Sequence, residues 1–434
     1  MTDRTSPPLR GEFHSSTLFI ACWFCVALPA ASTAQGPGSD SLAQRAAVLY
    51  AEGSYRDVVK ALGTIPADTL SASGAFYLGS SYAALGDIRN ASRHLRSAVA
   101  RAPFHAGYRL QFARVLAQAG ILQDARAQYE ILVAGDRPFL PALTSYGTFL
   151  FDDADFAGAA AIFHRSLAEN PRDYLASYYL GACLDRLDEP DSAVIYLAAS
   201  ISLNSDYAPA GGLLASLYYA RKDYDQSLLL YTRLCKQRPR NADYWYKAGL
   251  CNERLGNEYR AVDLFRRAAT LDTSEALYDA HIGQIFFGLS RLDSSVAAYR
   301  RAVSLDAANS VLFLNLGLAL ARMDSARQAI DAFQRSAAAH QVEKAAVPHT
   351  QIGAILYNAK DYRKARNAYA KALQLDPSNM EALFFIGFTH EQTGAIPQAR
   401  NAFEKYLKAA AGDPALRKRI AQVQERLSKI TRVY

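Results

Sequence analysis

Residues 242–275, which read ADYWYKAGLCNERLGNEYRAVDLFRRAATLDTSE, carry the spacing that decides the fold. Gly249 is followed by Ala261 twelve residues later, and Phe265 comes four residues after that alanine. The small residue at the position of Gly249 recurs every 34 residues, with one shift of two residues after Gly317, at Gly79, Ala113, Gly147, Gly181, Ala215, Gly283, Gly317, Gly353 and Gly387. A fixed spacing of small side chains predicts that two helices approach closely at the same point of every unit, so the chain is built from one repeated helix pair.

Large side chains follow the second small residue of each unit by four positions, which places both on one helical face. They are Leu95, Tyr129, Phe163, Leu197, Tyr231, Phe265, Tyr299, Phe333, Tyr369 and Phe403. Prolines that end the second helix follow in several units, at Pro103, Pro171, Pro239 and Pro377. At these positions the chain resembles the tetratricopeptide repeat family. The resemblance implies an all-α, right-handed superhelical solenoid of antiparallel helix pairs, with about 11 repeats plus a C-terminal capping helix.

The repeats are expected to fill residues 35–413, with units that begin near residues 39, 72, 106, 140, 174, 208, 242, 276, 310, 346 and 380. Two departures are local. Asp188 and Pro190 replace the usual Gly and aromatic residue of the turn between two helices, and a polar insertion occupies residues 341–346. The insertion is either a longer turn or a flexible joint between two stacks.

The amino terminus is expected to be a separate segment. Residues 18–31 form one apolar run, which follows Arg4 and Arg10 and precedes small residues at 32–34. This pattern is typical of a secretory signal over residues 1–34, and about fourteen apolar residues are fewer than the roughly 20 that a membrane span needs. The chain is therefore expected to be exported to the periplasm or secreted from a bacterium. An uncleaved membrane anchor is the alternative, and a lipid anchor at Cys22 fits less well.

Three cysteines lie outside the apolar run of the expected signal: Cys183, Cys235 and Cys251. Cys183 and Cys251 stand two residues after the small residue of a first helix, where a small core side chain is expected. Cys235 and Cys251 are expected on neighbouring antiparallel helices. With a helical rise of about 1.5 Å per residue, the two side chains lie at different heights along the helix axes, which disfavours a disulfide between them.

Catalytic motifs are not found in the sequence. It contains no G-x-S-x-G, no phosphate-binding loop, no dinucleotide-binding glycine motif and no H-E-x-x-H. The eight His residues stand at different positions of the repeat, which argues against a shared metal site. We therefore expect no enzymatic activity, no cofactor and no metal.

The exposed face of the first helices, which in the family lines a concave groove, is the expected binding surface. The aromatic residues predicted to lie there are Phe151, Tyr178, Tyr219, Tyr246, Phe287, Tyr357, Phe384 and Phe388. Aromatic rings provide a large contact area at low entropic cost, which suits an extended peptide or a partner protein. The alternative for any one of them is that it fills space between neighbouring first helices.

The net charge of +7 is concentrated at the carboxyl terminus, where residues 415–434 contain six basic residues and Glu425 alone as an acid. Residues 1–34 are neutral, so the repeats themselves carry only about +2, which argues against a nucleic-acid partner. Residues 414–434 are expected to form a basic amphipathic capping helix, with Leu416, Ile420, Val423, Leu427 and Ile430 on one face. A helix that lies on a membrane surface is the alternative.

Together these features predict an exported, non-catalytic protein-interaction scaffold whose groove binds an extended peptide or partner protein. An accessory role in envelope polysaccharide or glycan export or assembly is the alternative, because aromatic rings suit sugars as well. A subunit of an enzyme whose catalytic partner is a separate chain also stays open.

Overall fold

The computed structural model describes residues 37–66, 69–135, 138–339 and 345–433. These ranges contain helices and no β-strand, and they form two compact units that divide after Phe139. The expected export signal at 1–34 and most of the insertion at 341–346 lie outside the described residues.

The first unit is a stack of antiparallel helix pairs. Each helix packs on the one that precedes it in the chain, and the loops between them are short. The helices are α1 (Pro37–Ala51), α2 (Tyr55–Leu62), α3 (Ala72–Ala84), α4 (Ile88–Arg101), α5 (Ala106–Gln118) and α6 (Leu122–Val133).

The second unit repeats the same pair eight times and ends with one further helix. Its first four pairs are α7 (Leu140–Asp152) with α8 (Phe156–Glu169), α9 (Tyr174–Arg186) with α10 (Pro190–Leu203), α11 (Ala208–Ala220) with α12 (Tyr224–Gln237), and α13 (Ala242–Arg254) with α14 (Glu258–Leu271). The next four are α15 (Ala276–Gly288) with α16 (Leu292–Leu305), α17 (Ser310–Arg322) with α18 (Ala326–Ala339), α19 (Ala346–Asn358) with α20 (Tyr362–Leu375), and α21 (Met380–Gln392) with α22 (Ile396–Ala409). A 3-10 turn at Pro414–Leu416 leads into α23 (Arg417–Val433). The predicted all-α solenoid of antiparallel helix pairs is confirmed.

Close approach of the two helices explains the small residue at the centre of each pair. A Cβ atom added to Gly249 would lie 2.6 Å from Cε1 of Phe265, which is fully buried. Where Ser stands in place of the alanine of the second helix, its hydroxyl bonds the neighbouring backbone: Ser227 Oγ donates to Ala215 O at 2.8 Å. The repeat period thus reproduces one contact, a large ring or Leu packed against the backbone of the first helix.

The turn inside each pair contains one residue in the left-handed region. Gly occupies it in several repeats, as at Gly256 with φ 74°, whereas Asp188 and Lys222 adopt the same conformation with φ 63° and 66°. The next residue, Glu189, donates its backbone N–H to Leu184 O at 2.8 Å, and this bond caps the carboxyl-terminal end of the first helix. The substitution at Asp188 therefore keeps the turn, at a cost of about 1 kcal/mol relative to Gly.

The three cysteines of the repeats are buried and carry free thiols. Burial raises the pKa of Cys183 and of Cys235 to about 12, and it also raises the pKa of Cys251. Cys251 Sγ donates to Ser227 Oγ at 3.2 Å. The thiols thus lie in the core, where they are protonated and unreactive at neutral pH.

Helix α23 packs on the last repeat through its apolar face. Val423 is fully buried, and it shares a core cluster with Phe403 and Tyr406 of α22. Leu416, Ile420 and Leu427 pack against the same cluster, so this face of α23 is occupied by protein. Within the described ranges, no helix is both long enough and apolar enough to cross a bilayer.

Candidate functional site

The first helices of the pairs form one face of the second unit. Within that unit α7 contacts α9, α9 contacts α11, α15 contacts α17 and α19 contacts α21, whereas the second helices of successive repeats contact one another less. At these four steps the first helices approach each other more closely than the second helices do, which places the first helices on the inner side. We call the surface formed by the solvent-facing side chains of these first helices the inner face.

Six of the eight aromatic residues predicted for the groove are half-buried on first helices of the second unit, and these are Phe151, Tyr178, Tyr219, Tyr246, Phe287 and Tyr357. The other two, Phe384 and Phe388, are only 5% and 7% exposed and belong to the terminal core cluster. The prediction that these two line an open groove is wrong, because α22 and α23 cover them. The other six are half-buried, so part of each side chain is accessible while the rest packs against neighbouring residues.

Aromatic rings are connected over the first two repeats of this unit. The ring centroid of Phe151 lies 5.6 Å from that of Tyr179, and Tyr179 lies 5.0 Å from Tyr178. Tyr178 in turn meets Tyr207 at 5.1 Å, with the ring planes close to perpendicular. Burial raises the pKa of Tyr178 to about 12, so its hydroxyl stays protonated at neutral pH. These edge-to-face pairs hold the rings in fixed orientations.

A polar network lies between α13 and α15, in the middle of the unit. Tyr246 Oη is 3.1 Å from His281 Nε2, and His281 Nδ1 is 3.3 Å from Glu253 Oε2. Although His281 Nδ1 and Glu253 Oε2 are close, their geometry is not that of a hydrogen bond. The His281 and Glu253 side chains are 20% and 22% exposed. Burial, and then the nearby Glu253 carboxylate, raise the pKa of Tyr246, so this group remains a hydroxyl.

Arginine residues connect aromatic residues of one repeat to the next. Arg254 Nε donates to Tyr219 Oη at 3.2 Å, from a position 35 residues further along the chain. Arg322, 35 residues after Phe287, donates to the Phe287 carbonyl at 3.2 Å and lies 4.6 Å from the centre of its ring. The same spacing therefore places two exposed guanidinium groups beside half-buried rings. The sequence analysis did not single out these arginines, although their position one repeat after an aromatic residue was a usable signal.

The carboxyl-terminal end of the inner face is closed. Arg426 of α23 forms an ion pair with Glu391 at 2.8 Å, again with a separation of 35 residues. Arg419 of the same helix lies 5.0 Å from the centre of the Phe384 ring. Helix α23 thus takes the place that the first helix of a further repeat would have.

The inner face presents aromatic rings, hydroxyl groups and charges that are paired locally. Charges of both signs are paired locally, as in Lys247 with Asp243 at 2.9 Å, and Glu253 lies beside His281. Groups of three or more His, Cys, Asp or Glu side chains that could hold a metal ion do not occur within the described ranges. The accessible groups are ring faces, phenol hydroxyls and guanidinium N–H donors.

Family models for the tetratricopeptide repeat match residues 77–141, 149–208, 213–276, 280–309 and 356–423. The chain belongs to the tetratricopeptide repeat family. Its repeats indicate a scaffold for protein–protein interaction.

Two curated relatives are about equally similar to this tetratricopeptide repeat protein. It is 23% identical to "Tetratricopeptide repeat protein 8" of Caenorhabditis elegans, over 55% of this chain and 47% of that protein. It is also 23% identical to the "BBSome complex member BBS4 homolog" of Drosophila melanogaster, over 49% of this chain and 44% of that protein. The chain thus spans about half the length of these curated relatives.

Among solved structures, the C-terminal part of a tetratricopeptide repeat protein from Cytophaga hutchinsonii superimposes with a TM-score of 0.50. The match has 16% sequence identity and covers 55% of this chain and 98% of the other. This likeness concerns the fold alone.

Proposed function

We propose that this protein is an exported, non-catalytic scaffold whose inner face binds an extended peptide or a segment of a partner protein between Phe151 and Tyr357. Tetratricopeptide repeat scaffolds are generally non-catalytic, and the accessible groups of the inner face suit recognition. The proposed partner is a protein, because the repeats carry almost no net charge to attract nucleic acid.

The observation that carries the proposal is the arrangement over α11, α13 and α15. Tyr219 is held by Arg254, and Tyr246 is held by His281, so two tyrosines on neighbouring repeats have fixed orientations before any ligand arrives. Preorganised Tyr and Arg side chains lose little conformational entropy on binding, and these residue types dominate binding hot spots. Hydroxyl and guanidinium groups next to the rings can hydrogen-bond the backbone of an extended peptide.

Partner capture with a matched pair of variants tests the proposal. The protein, purified with an affinity tag, is used to capture partners from cell-envelope extract, and the affinity for the captured protein is then measured. Replacement of Tyr178, Tyr219 and Tyr246 by Ala should leave helicity nearly unchanged but weaken binding strongly, because anchor residues cost about 2 kcal/mol or more each when truncated. The control replaces Tyr196 and Tyr259, which lie on second helices, and should bind as the parent does.

The basic terminal helix provides the contrasting variant. Replacement of Arg417, Lys418 and Arg419 by Ala should change the affinity for the same partner only weakly. If this variant loses binding while the tyrosine variant keeps it, the binding surface is α23 and the proposal fails. If the inner face binds glycans on an array and no protein is captured, the alternative role in polysaccharide export or assembly replaces the peptide-binding proposal.

The export part of the proposal is tested separately. The mature protein is expected to begin near Gln35 and to be recovered from the periplasm or the medium, which amino-terminal sequencing determines. Recovery of the unprocessed chain from the cytoplasm, or of a lipid-modified Cys22, would contradict export by a cleaved signal.

A further inference from the structure

Helix α10 differs from the other second helices in its outward surface. Its residues 192–203 include no charged side chain, whereas α14 exposes Asp263, Arg266 and Arg267 at the middle of its outer surface. The middle of the neighbouring second helix α12, residues 226–232, is also uncharged. We call the outward surface of α10 and α12 the outer patch.

Two large apolar side chains protrude from the outer patch. Ile195 is 67% exposed and Leu229 is 66% exposed, and they occupy the same position of consecutive repeats. Residues around them on the outer patch are small or uncharged, such as Ala198, Ser202 and Thr232, and all three are exposed. A second helix needs no Ile or Leu at this position, because the equivalent residue of α16 is the exposed Ala297. Grouped exposed apolar side chains typically mark an interaction surface.

The two ends of the outer patch carry opposite charges. Exposed acids cluster where α10 and α12 begin, at Asp188, Glu189, Asp191, Asp223 and Asp225. They outnumber the bases of this end, which are the exposed Lys222 and the half-buried Arg221, and Arg221 forms an ion pair with Asp191. Exposed bases cluster where α12 ends, at Arg233, Lys236, Arg238 and Arg240, with Asp206 as the nearby acid. The outer patch is thus negative at one end, uncharged in the middle and positive at the other end.

We propose that the outer patch binds the outer patch of a second copy of this chain, with α10 against α10 and α12 against α12, each pair antiparallel about a two-fold axis. A two-fold contact places the same surface on both sides. In the antiparallel arrangement the acidic end of each copy faces the basic end of the other, and Ile195 and Leu229 meet their counterparts in the uncharged middle. A parallel arrangement would instead oppose like charges, which is unfavourable.

The size of the outer patch sets the expected strength. Each of α10 and α12 has 14 residues, hence a length of about 21 Å. Two such helices provide less surface than a standard stable interface, which buries about 1,600 Å² in total. The dimer is therefore expected to be weak, with a dissociation constant of about 10 μM or higher.

Analytical ultracentrifugation of the full mature chain, from about 1 μM to several hundred micromolar, tests the proposal. The parent should shift from monomer to dimer over this range. Ile195→Glu and Leu229→Glu should each weaken the dimer at least about tenfold, because the substitution places like charges opposite each other in the apolar middle. Ala297→Glu, at the equivalent exposed position of α16, is the matched control and should dimerise as the parent does. A parent that stays monomeric throughout the range overturns the proposal.

Charge reversal tests whether a second copy of the chain binds the outer patch in the antiparallel arrangement. Asp223→Lys with Asp225→Lys should abolish dimerisation, and Lys236→Glu with Arg238→Glu should do the same. The Asp223 side chain makes no capping hydrogen bond to α12, so the helix tolerates the change. All four substitutions together should restore the dimer, because acidic and basic ends again face each other. Failure of this rescue, or a dimer unaffected by either pair alone, would contradict the antiparallel arrangement.

Discussion

Tyr246 and Phe384 occupy the same position of their repeats, yet one lies on a surface and the other in a core. Tyr246 is half-buried, and its hydroxyl reaches His281 of the next repeat. Phe384 is 5% exposed and packs against Phe388 and Tyr406, with Arg419 of α23 beside its ring. The repeat position therefore does not decide the role of a side chain; the element that follows in the stack does.

Two arginines show the same difference between the middle of the unit and its carboxyl-terminal end. Arg254 and Arg426 both contact a residue 35 positions earlier, at the end of a first helix. Arg254 is exposed and bonds a tyrosine hydroxyl, whereas Arg426 neutralises the mostly buried Glu391. In the middle of the unit this contact orients a side chain that can meet a ligand, and at the end it fastens the terminal helix.

Truncation of the two rings should give the largest contrast. Phe384→Ala is expected to lower the free energy of unfolding of the terminal repeats by about 3–5 kcal/mol, because it leaves a cavity in a closed core. Tyr246→Ala should cost only about 1–2 kcal/mol, since part of that ring faces solvent. Hydrogen exchange resolved by repeat is the suitable measurement, because long repeat arrays need not unfold in one step. Equal losses at both sites would show that the two regions do not differ.

The close contact between the two helices of a repeat should matter equally for stability in the repeat of Tyr246 and in the repeat of Phe384. Gly249→Leu and Gly387→Leu should both destabilise, by about 1–3 kcal/mol or more, because each places a side chain against a fully buried Phe of the second helix. Gly212→Ala is the control, since its added Cβ would lie 4.0 Å from the nearest atom, Tyr244 Cε1, and alanine favours the helix. Thermal denaturation followed by circular dichroism measures all three. A Gly249→Leu variant that melts as the parent does would mean that the proposed register is wrong.

The arginine pair should give the smallest effect on stability. Arg426→Ala is expected to cost about 1 kcal/mol, because the Glu391 side chain is only 17% exposed and loses its partner, although Arg426 itself is a third exposed and partly screened. Arg254→Ala should cost about 0.5 kcal/mol or less, while it weakens partner binding. Urea denaturation of both variants gives the comparison. A larger loss of stability from Arg254→Ala would identify it as a structural residue and remove it from the proposed binding surface.

Sequence spacing predicted the helix pairs because their closest contact, such as Gly249 against Phe265, involves residues only 16 positions apart in every repeat. It also placed Tyr219 and Tyr246 on first helices, where both are half-buried, and their role in binding stays a prediction. It did not predict that Phe384 and Phe388 are covered, because the repeat pattern ends before α23 and does not state where that helix packs. The contact of Tyr246 with His281 was missed for a related reason: it depends on how two successive repeats stack, which single-repeat periodicity does not encode.

Hydroxyl-radical footprinting of the aromatic side chains tests the central claim most directly, with the free chain compared to the chain bound to its captured partner. In the free chain, Tyr219, Tyr246 and Phe287 should be labelled while Phe384 and Phe388 are not. Addition of the partner should protect the first three and leave the outer Tyr259 labelled. Labelling of Phe384 comparable to that of Tyr246 in the free chain, or protection of Tyr259 instead of Tyr246 by the partner, would contradict the assignment of the middle inner face as the binding surface.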